Sequence, residues 1–309
     1  MKVVRAGILG FCMGVRRAVE IAERASLETG RACGLYTLGP LIHNLQVLES
    51  LAKQGVVCLN ENELSSLPAD STVIIRAHGV SPVIERELSK KGINILDATC
   101  PHVKLSQSKA RSFVENGYRL FIAGEENHGE IAGIKGYAED GLSSILSSSI
   151  SPILSSSMLP SAPCFVVSNA EEAFASAQEL YRREPEAKTA LIAQTTLRAE
   201  EYRAIGEKIL RFFPSLQIVN SICTATMDRQ NALRELADVD AVIIVGSRES
   251  ANTQRLLSLA RELGRPAWLA EAVSDIPPEI AAYETVGLSA GASTPDGLID
   301  EIEEAVREL

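Results

Sequence analysis

Three cysteines stand at equivalent points of an internal threefold repeat, and that phasing constrains the fold more than any local motif does. Cys12 in GFCMGVRRAVEIA, Cys100 in ATCPHVKLSQSKA and Cys223 in SICTATMDRQNAL each close a short β-branched run and open an amphipathic helix. After each helix comes an apolar run closed by a polar loop: GLYTLGPLIHN, RLFIAGEENHGE and AVIIVGSRESAN. From the cysteines to His43, His128 and Ser250 in those loops the offsets are 31, 28 and 27 residues. A second apolar run and polar turn follow each time, STVIIRAHG at His78, TALIAQTT at Thr195 and TVGLSAGAS at Ser293. A fixed period dictates the architecture, so it is settled before any single motif is weighed.

The repeat predicts an α/β fold: three similar α/β units with mainly parallel sheets, arranged around a pseudo-threefold axis and a central cavity. Near-continuous apolar runs such as VIIR (73–76), LFIA (120–123) and VIIV (242–245) suit strands buried on both faces of a parallel sheet. The repeats span 13–100, 101–222 and 223–309, with residues 1–12 expected to join the third and close the ring. A serine-rich segment at 143–161, SSILSSSISPILSSSMLPS, lengthens the middle repeat and has the composition of a loop or linker. In such sheets ligands gather beyond the carboxyl ends of the strands, and every polar loop above lies there.

Length alone, at 309 residues, suggests roughly two domains; the repeat replaces that with three units packed on one another. Hydrophobic residues make up 46% and charged residues 23%, as in a soluble globular protein. The net charge of −10 argues against a nucleic-acid binder, whose phosphate contacts need a basic face. No run reaches the about 18 apolar residues of a membrane span, and Arg5, Arg16 and Arg17 make the N-terminal stretch a poor signal peptide. A reducing cytoplasm is the expected compartment, where six cysteines serve as ligands, catalytic groups or small hydrophobes rather than disulfides.

A cysteine taken singly is most often a buried hydrophobe, and Cys33, Cys58 and Cys164, outside the phase, are read as structural. Three in phase suit a metal. An iron–sulfur cluster with one iron lacking a protein thiolate and a zinc site with a histidine or water both remain open on the residues alone. Three of the four histidines, His43, His78 and His128, fall in the strand-end loops, and the third repeat offers Ser250, Asn252 and Ser293 there. Imidazoles, hydroxyls and amides at helix N-termini bind phosphate, because the terminal N–H groups lack partners and the dipole favours an anion. Glu130 is the one acidic residue in the set. Beside an anionic ligand its carboxyl would hold a proton more tightly and could deliver it, with Gln194, Thr195 and Thr196 facing the same space.

Assembled in order, GFCMGV, LIHN, AHGVS, DATCP, NHGEIAG, QTT, ICTAT-x-x-RQ, VGS-x-x-S-x-N and AGASTPD span nearly the whole chain. In them the chain resembles the 4-hydroxy-3-methylbut-2-enyl diphosphate reductases, the LytB or IspH family of isoprenoid biosynthesis. The resemblance implies a [4Fe–4S] cluster, one per chain, on Cys12, Cys100 and Cys223. It also implies that His43, His78, His128, Ser250, Asn252 and Ser293 hold the diphosphate, that Thr195 with Glu130 meets the substrate hydroxyl, and that Glu130 supplies the proton. The implied reaction is a two-electron reductive dehydroxylation to isopentenyl and dimethylallyl diphosphate, the last step of the methylerythritol phosphate route.

With no GxGxxG motif after a strand, electrons are expected from a ferredoxin or flavodoxin type of donor. Two departures from the family pattern stand out: Ala251 where a serine is usual, and Gly129 where the H-x-E triplet usually holds proline. A hydratase using an open metal site as Lewis acid, and a non-enzymatic sensor or phosphate-binding module, are the rival classes.

Overall fold

The computed structural model describes residues 1–28, 34–148 and 163–309. Cys33 and residues 149–161 of the serine-rich segment lie outside them. The strand β1 (Lys2–Arg5) leads to Cys12 and helix α1 (Met13–Glu28). Next come β2 (Leu35–Leu38), α2 (Leu45–Lys53), β3 (Val56–Leu59), β4 (Thr72–Ile75), α3 (Pro82–Lys90) and β5 (Asn94–Asp97). The middle repeat runs α4 (Pro101–Glu115), β6 (Arg119–Ala123), α5 (Gly129–Ser148), β7 (Cys164–Val167), α6 (Ala170–Arg183), β8 (Thr189–Ala193), α7 (Ala199–Leu210) and β9 (Gln217–Ile218). The last comprises α8 (Thr224–Arg234), β10 (Ala241–Val245), α9 (Ala251–Glu262), β11 (Ala267–Ala270), β12 (Thr285–Ala290) and α10 (Asp296–Glu308).

The strands form three four-stranded sheets, in the orders β3-β2-β4-β5, β7-β6-β8-β9 and β11-β10-β12-β1. Read by position within a repeat, the order is the same each time: second, first, third, fourth. Pairing is parallel throughout the registers β2–β3, β2–β4, β6–β7, β6–β8, β8–β9, β10–β11, β10–β12 and β1–β12. The third sheet takes its fourth strand from the start of the chain, with Lys2 opposite Thr285 and Arg5 opposite Leu288. Arg5 then ties β1 to α10 through Glu303 and Asp300.

Contacts group the described residues into two compact units. One holds Met1–Ala77, Leu96–Ala98 and Cys223–Leu309; the other holds His78–Ile95 and Thr99–Ile222. In the first unit β10 shows why the apolar runs are continuous. Val242 and Ile244 pack with Leu256 and Leu259 of α9, while Ile243 and Val245 pack with Leu298, Ile299 and Ile302 of α10. Successive side chains of a strand point to opposite faces, so a strand covered on both sides must be apolar at every position. Ile243 is fully buried, and Ile243→Ala would cost about 2–5 kcal/mol.

In the second unit Leu120 and Ile122 of β6 join Ile131, Ile134 and Ala138 of α5 in one core. Helix α5 runs on through 143–148, so the first part of the serine-rich segment is helical rather than loop. Cys164 sits in that core, whereas Cys58 on β3 is exposed. Among the described residues no helix is long and apolar enough to cross a membrane.

Candidate active site

Each cysteine of the repeat stands where a strand run gives way to a helix. Cys100 and Cys223 are the N-caps of α4 and α8, with extended ψ of 133° in both, and the carbonyl of Cys12 accepts from Arg16 N in the first turn of α1. Val15 N–H lies 3.5 Å from the Cys12 sulfur, so an orphan donor of the helix start faces it. All three are partly exposed thiols. The thiolate is the form of a cysteine that ligates and reacts.

In the second unit the loop after β6 turns at Gly124, where a Cβ would stand 2.7 Å from Gln194 Oε1. Glycine leaves room for Gln194, which is fully buried and accepts from Glu125 N at 3.0 Å. His128 then begins α5. Its carbonyl accepts from Ala132 N, and its Nδ1 accepts from Glu130 N at 3.2 Å, as an N-cap side chain does. That bond assigns the proton of the neutral ring to Nε2. The His78 ring meets the His128 ring edge-on, centroids 5.0 Å apart.

Glu130 follows in the first turn of α5 and is 1% exposed. Thr195 satisfies both carboxylate oxygens: its N–H donates to Oε1 at 2.8 Å and its hydroxyl to Oε2 at 2.9 Å. Thr196 is distinguished from it by partner, since its hydroxyl accepts from Gln194 Nε2 at 3.0 Å. The QTT turn thus divides its labour between holding the loops together and holding Glu130.

In the first unit Asn44 caps α2 through Val47 N at 3.0 Å, and Ser293 Oγ donates to the carbonyl of His43 at 3.0 Å. Burial pushes the His43 imidazole below its ordinary pKa; Glu249 opposes that shift and Arg76 adds to it. Ser250 caps α9 by accepting from Thr253 N, so part of its role is structural. Asn252 is 4% exposed, and among the described residues its side-chain nitrogen and oxygen have no hydrogen-bond partner. Thr253 was not singled out in the sequence: its unpartnered hydroxyl would stand 2.1 Å from a Cβ at Gly291. Ala251 opens α9 and is buried, so the departure there leaves a backbone N–H in place of a hydroxyl.

The cofactor expectation is corrected by the donor atoms. Among the described residues the group able to hold a metal ion is His43, His78 and His128, one ring nitrogen each. Cys12, Cys100 and Cys223 form no such group, so the three-cysteine [4Fe–4S] ligand set is not met. An imidazole carries its donor atom farther from the backbone than a thiol does, and it is the histidine loops that bring donors within reach of one ion.

The model of the LytB protein family matches residues 3–307. The 4-hydroxy-3-methylbut-2-enyl diphosphate reductase of Treponema pallidum (strain Nichols) is 44% identical over 322 residues, covering 99% of this chain and 83% of the relative. Among solved structures, the E-1-hydroxy-2-methyl-but-2-enyl-4-diphosphate reductase of Plasmodium falciparum superposes with a TM-score of 0.84 at 26% identity, over 98% of this chain and 87% of the other. A second, an (E)-4-hydroxy-3-methyl-but-2-enyl diphosphate reductase described as the terminal enzyme of the non-mevalonate pathway, gives 0.67 at 32% identity with full coverage of both. The same strand order three times over, the motifs in sequence and these likenesses together establish that the chain belongs to the LytB family.

Proposed function

We propose that the chain is a 4-hydroxy-3-methylbut-2-enyl diphosphate reductase, an oxidoreductase of the methylerythritol phosphate route. The substrate takes up two electrons and two protons, its allylic C–O bond breaks, and water leaves. The second proton reaches either end of the allyl unit, so isopentenyl and dimethylallyl diphosphate both form. Family membership supports the reaction. The electrons come from an external donor, of the ferredoxin or flavodoxin type in our reading, and the setting is the cytoplasm.

The observation that carries the residue roles is the buried Glu130–Thr195 pair. A carboxyl so placed exchanges a proton with a single bound group rather than with bulk water, and a hydroxyl both donates and accepts. When Glu130 carries a proton the Thr195 hydroxyl turns to accept; when the proton has gone to the departing hydroxyl, Thr195 donates again, as it does in the structure. Asn252, whose amide is buried without a partner, is assigned to the diphosphate with His43, His78, His128, Ser250 and Ser293. Phosphate oxygens at these helix starts meet orphan N–H donors as well as side chains. Cys12, Cys100 and Cys223 are placed at the same reaction centre by their shared phase, within three repeats at 13–100, 101–222 and 223–309 that count residues 1–12 with the third.

The test is an anaerobic assay on the allylic diphosphate with and without a low-potential reductant, reading out both products. Turnover that does not need the reductant would replace the reductase with a hydratase. Metal and sulfide analysis of the same preparation, repeated after chelation, reads out what metal the protein holds.

A further inference from the structure

Arg229 belongs to the ICTAT-x-x-RQ motif, and the reaction assigns it no role. It lies six residues after Cys223, where the equivalent positions after Cys12 and Cys100 are Ala18 and Ser106. Only the third of the cysteine helices therefore carries a cation at this position, and it is 3% exposed. A buried guanidinium is costly unless it is hydrogen-bonded and matched by negative charge. Here Nη1 donates to the carbonyl of Ala225 at 2.7 Å, and Nη2 donates to the carbonyl of Gly10; both lie in the same compact unit.

Those two acceptors are informative. Ala225 is in the first turn of α8, which Cys223 caps. Gly10 is two residues before Cys12, in a buried turn with φ of +76°, where a Cβ would meet Asp296 Oδ1 at 3.1 Å and Ile299 Cδ1 at 3.2 Å. Gly10 itself thus offers no side chain to the turn, while its neighbours Leu9 and Phe11 pack against the flanking cores. Beyond the guanidinium, the Cys12 N–H bond to Ala292 O holds it on the other side. We infer that Arg229 is a positioning residue, whose planar fork ties the turn bearing Cys12 to the helix that Cys223 opens and so fixes the two thiols relative to each other.

The fork matters as much as the charge. A guanidinium offers several donors in fixed directions and reaches two carbonyls at once, whereas an ammonium is a point donor. Burial lowers the guanidinium's pKa, and the groups that oppose this are Cys12, Cys223 and Asp228. Nε keeps no partner among the described residues, which leaves the two carbonyl bonds as its anchorage.

The inference rests on the reading that Cys12 and Cys223 belong to the reaction centre, and the test separates the two. Amide hydrogen exchange of the anaerobically purified protein is followed by mass spectrometry in wild type, Arg229→Met and Arg229→Lys, beside kcat and KM on the allylic diphosphate. In Arg229→Met, exchange across 9–15 should accelerate by about tenfold or more while β10 and β12 stay protected, because a charge-assisted bond that closes a local opening is gone. Turnover should fall with KM little changed. Arg229→Lys retains the cation and the fold and should show the same local acceleration; it decides the matter where the methionine variant does not fold. Wild-type exchange and turnover in Arg229→Lys would reduce the residue to a counter-charge and overturn the inference, as would unchanged exchange across 9–15 in Arg229→Met. Accelerated exchange with wild-type turnover would uphold the tie and remove Cys12 and Cys223 from the reaction.

Discussion

Two buried polar residues, one in each compact unit, are handled in opposite ways. In the second, Glu130 is sealed from solvent with both oxygens already engaged by Thr195. In the first, Asn252 is nearly as deeply buried, yet its amide has no partner among the described residues. A buried polar group left unsatisfied costs about 1–3 kcal/mol, so it persists where something outside the chain completes it. The contrast separates a group prepared before the substrate arrives from one that the substrate completes.

The strongest way to break this contrast is at the prepared group. Glu130→Gln keeps the shape and should lower turnover by about 10²–10⁴-fold, the usual worth of a positioned acid; reductant-driven product formation at the wild-type rate would take the carboxyl out of the reaction.

The next test probes the interior of the second unit. Burial pushes the Cys164 thiol up to about 12 from 9.0, with Glu139 adding to the shift and Lys135 opposing it. The folded chain holds that proton more tightly than the unfolded one, so the contribution to stability is whole below pH 9.0 and is lost as pH climbs through about 12. Iodoacetamide at pH 8 should therefore label exposed Cys58 and spare buried Cys164. Peptide mass spectrometry showing equal labelling would mean this core opens.

A third pair of variants sharpens the comparison directly. Thr195→Val should destabilise the ligand-free chain by about 1–3 kcal/mol, since it removes a donor from a buried carboxylate. Asn252→Ala should leave ligand-free stability unchanged or raised, but weaken diphosphate binding by about tenfold or more. Denaturant melts and calorimetry with the diphosphate read these out, and equal destabilisation by both variants would erase the distinction.

The smallest effect concerns Gly129 at the first helical position of α5. Proline suits that position, where its missing N–H has no helical acceptor, so Gly129→Pro should stabilise by about 0.4–1 kcal/mol. A lowered thermal midpoint would show that the loop bearing Glu130 needs the glycine.

Much of this was legible in sequence because the repeat makes each element a prediction of two others. The apolar runs VIIR, LFIA and VIIV became β4, β6 and β10, and the cysteines marked helix starts at Met13, Pro101 and Thr224. The assignment of β1 to the third sheet followed from phase alone. What sequence did not give were choices made by side-chain reach. Thr195 and Thr196 are neighbours of one type, and only the coordinates show that one meets Glu130 and the other Gln194. Donor convergence was misjudged for a related reason: phase says which loops are equivalent, not how far each side chain extends. Arg229 escaped because a cation in a helix reads as a solvated face until its burial is known.

The way β1 completes the third sheet has a consequence during vectorial synthesis on the ribosome. Residues 2–5 emerge long before the strand that receives them, 285–290. For most of translation the leading segment has no edge to add to, and its turn waits without the Arg229 fork and the Ala292 carbonyl that later hold it. Closing a loop of that size is slow relative to local contacts. The first of the three thiols to be made is therefore the last to gain its native surroundings, and a nascent chain stalled before β12 should leave Cys12 open to oxidants while Cys164 is already enclosed.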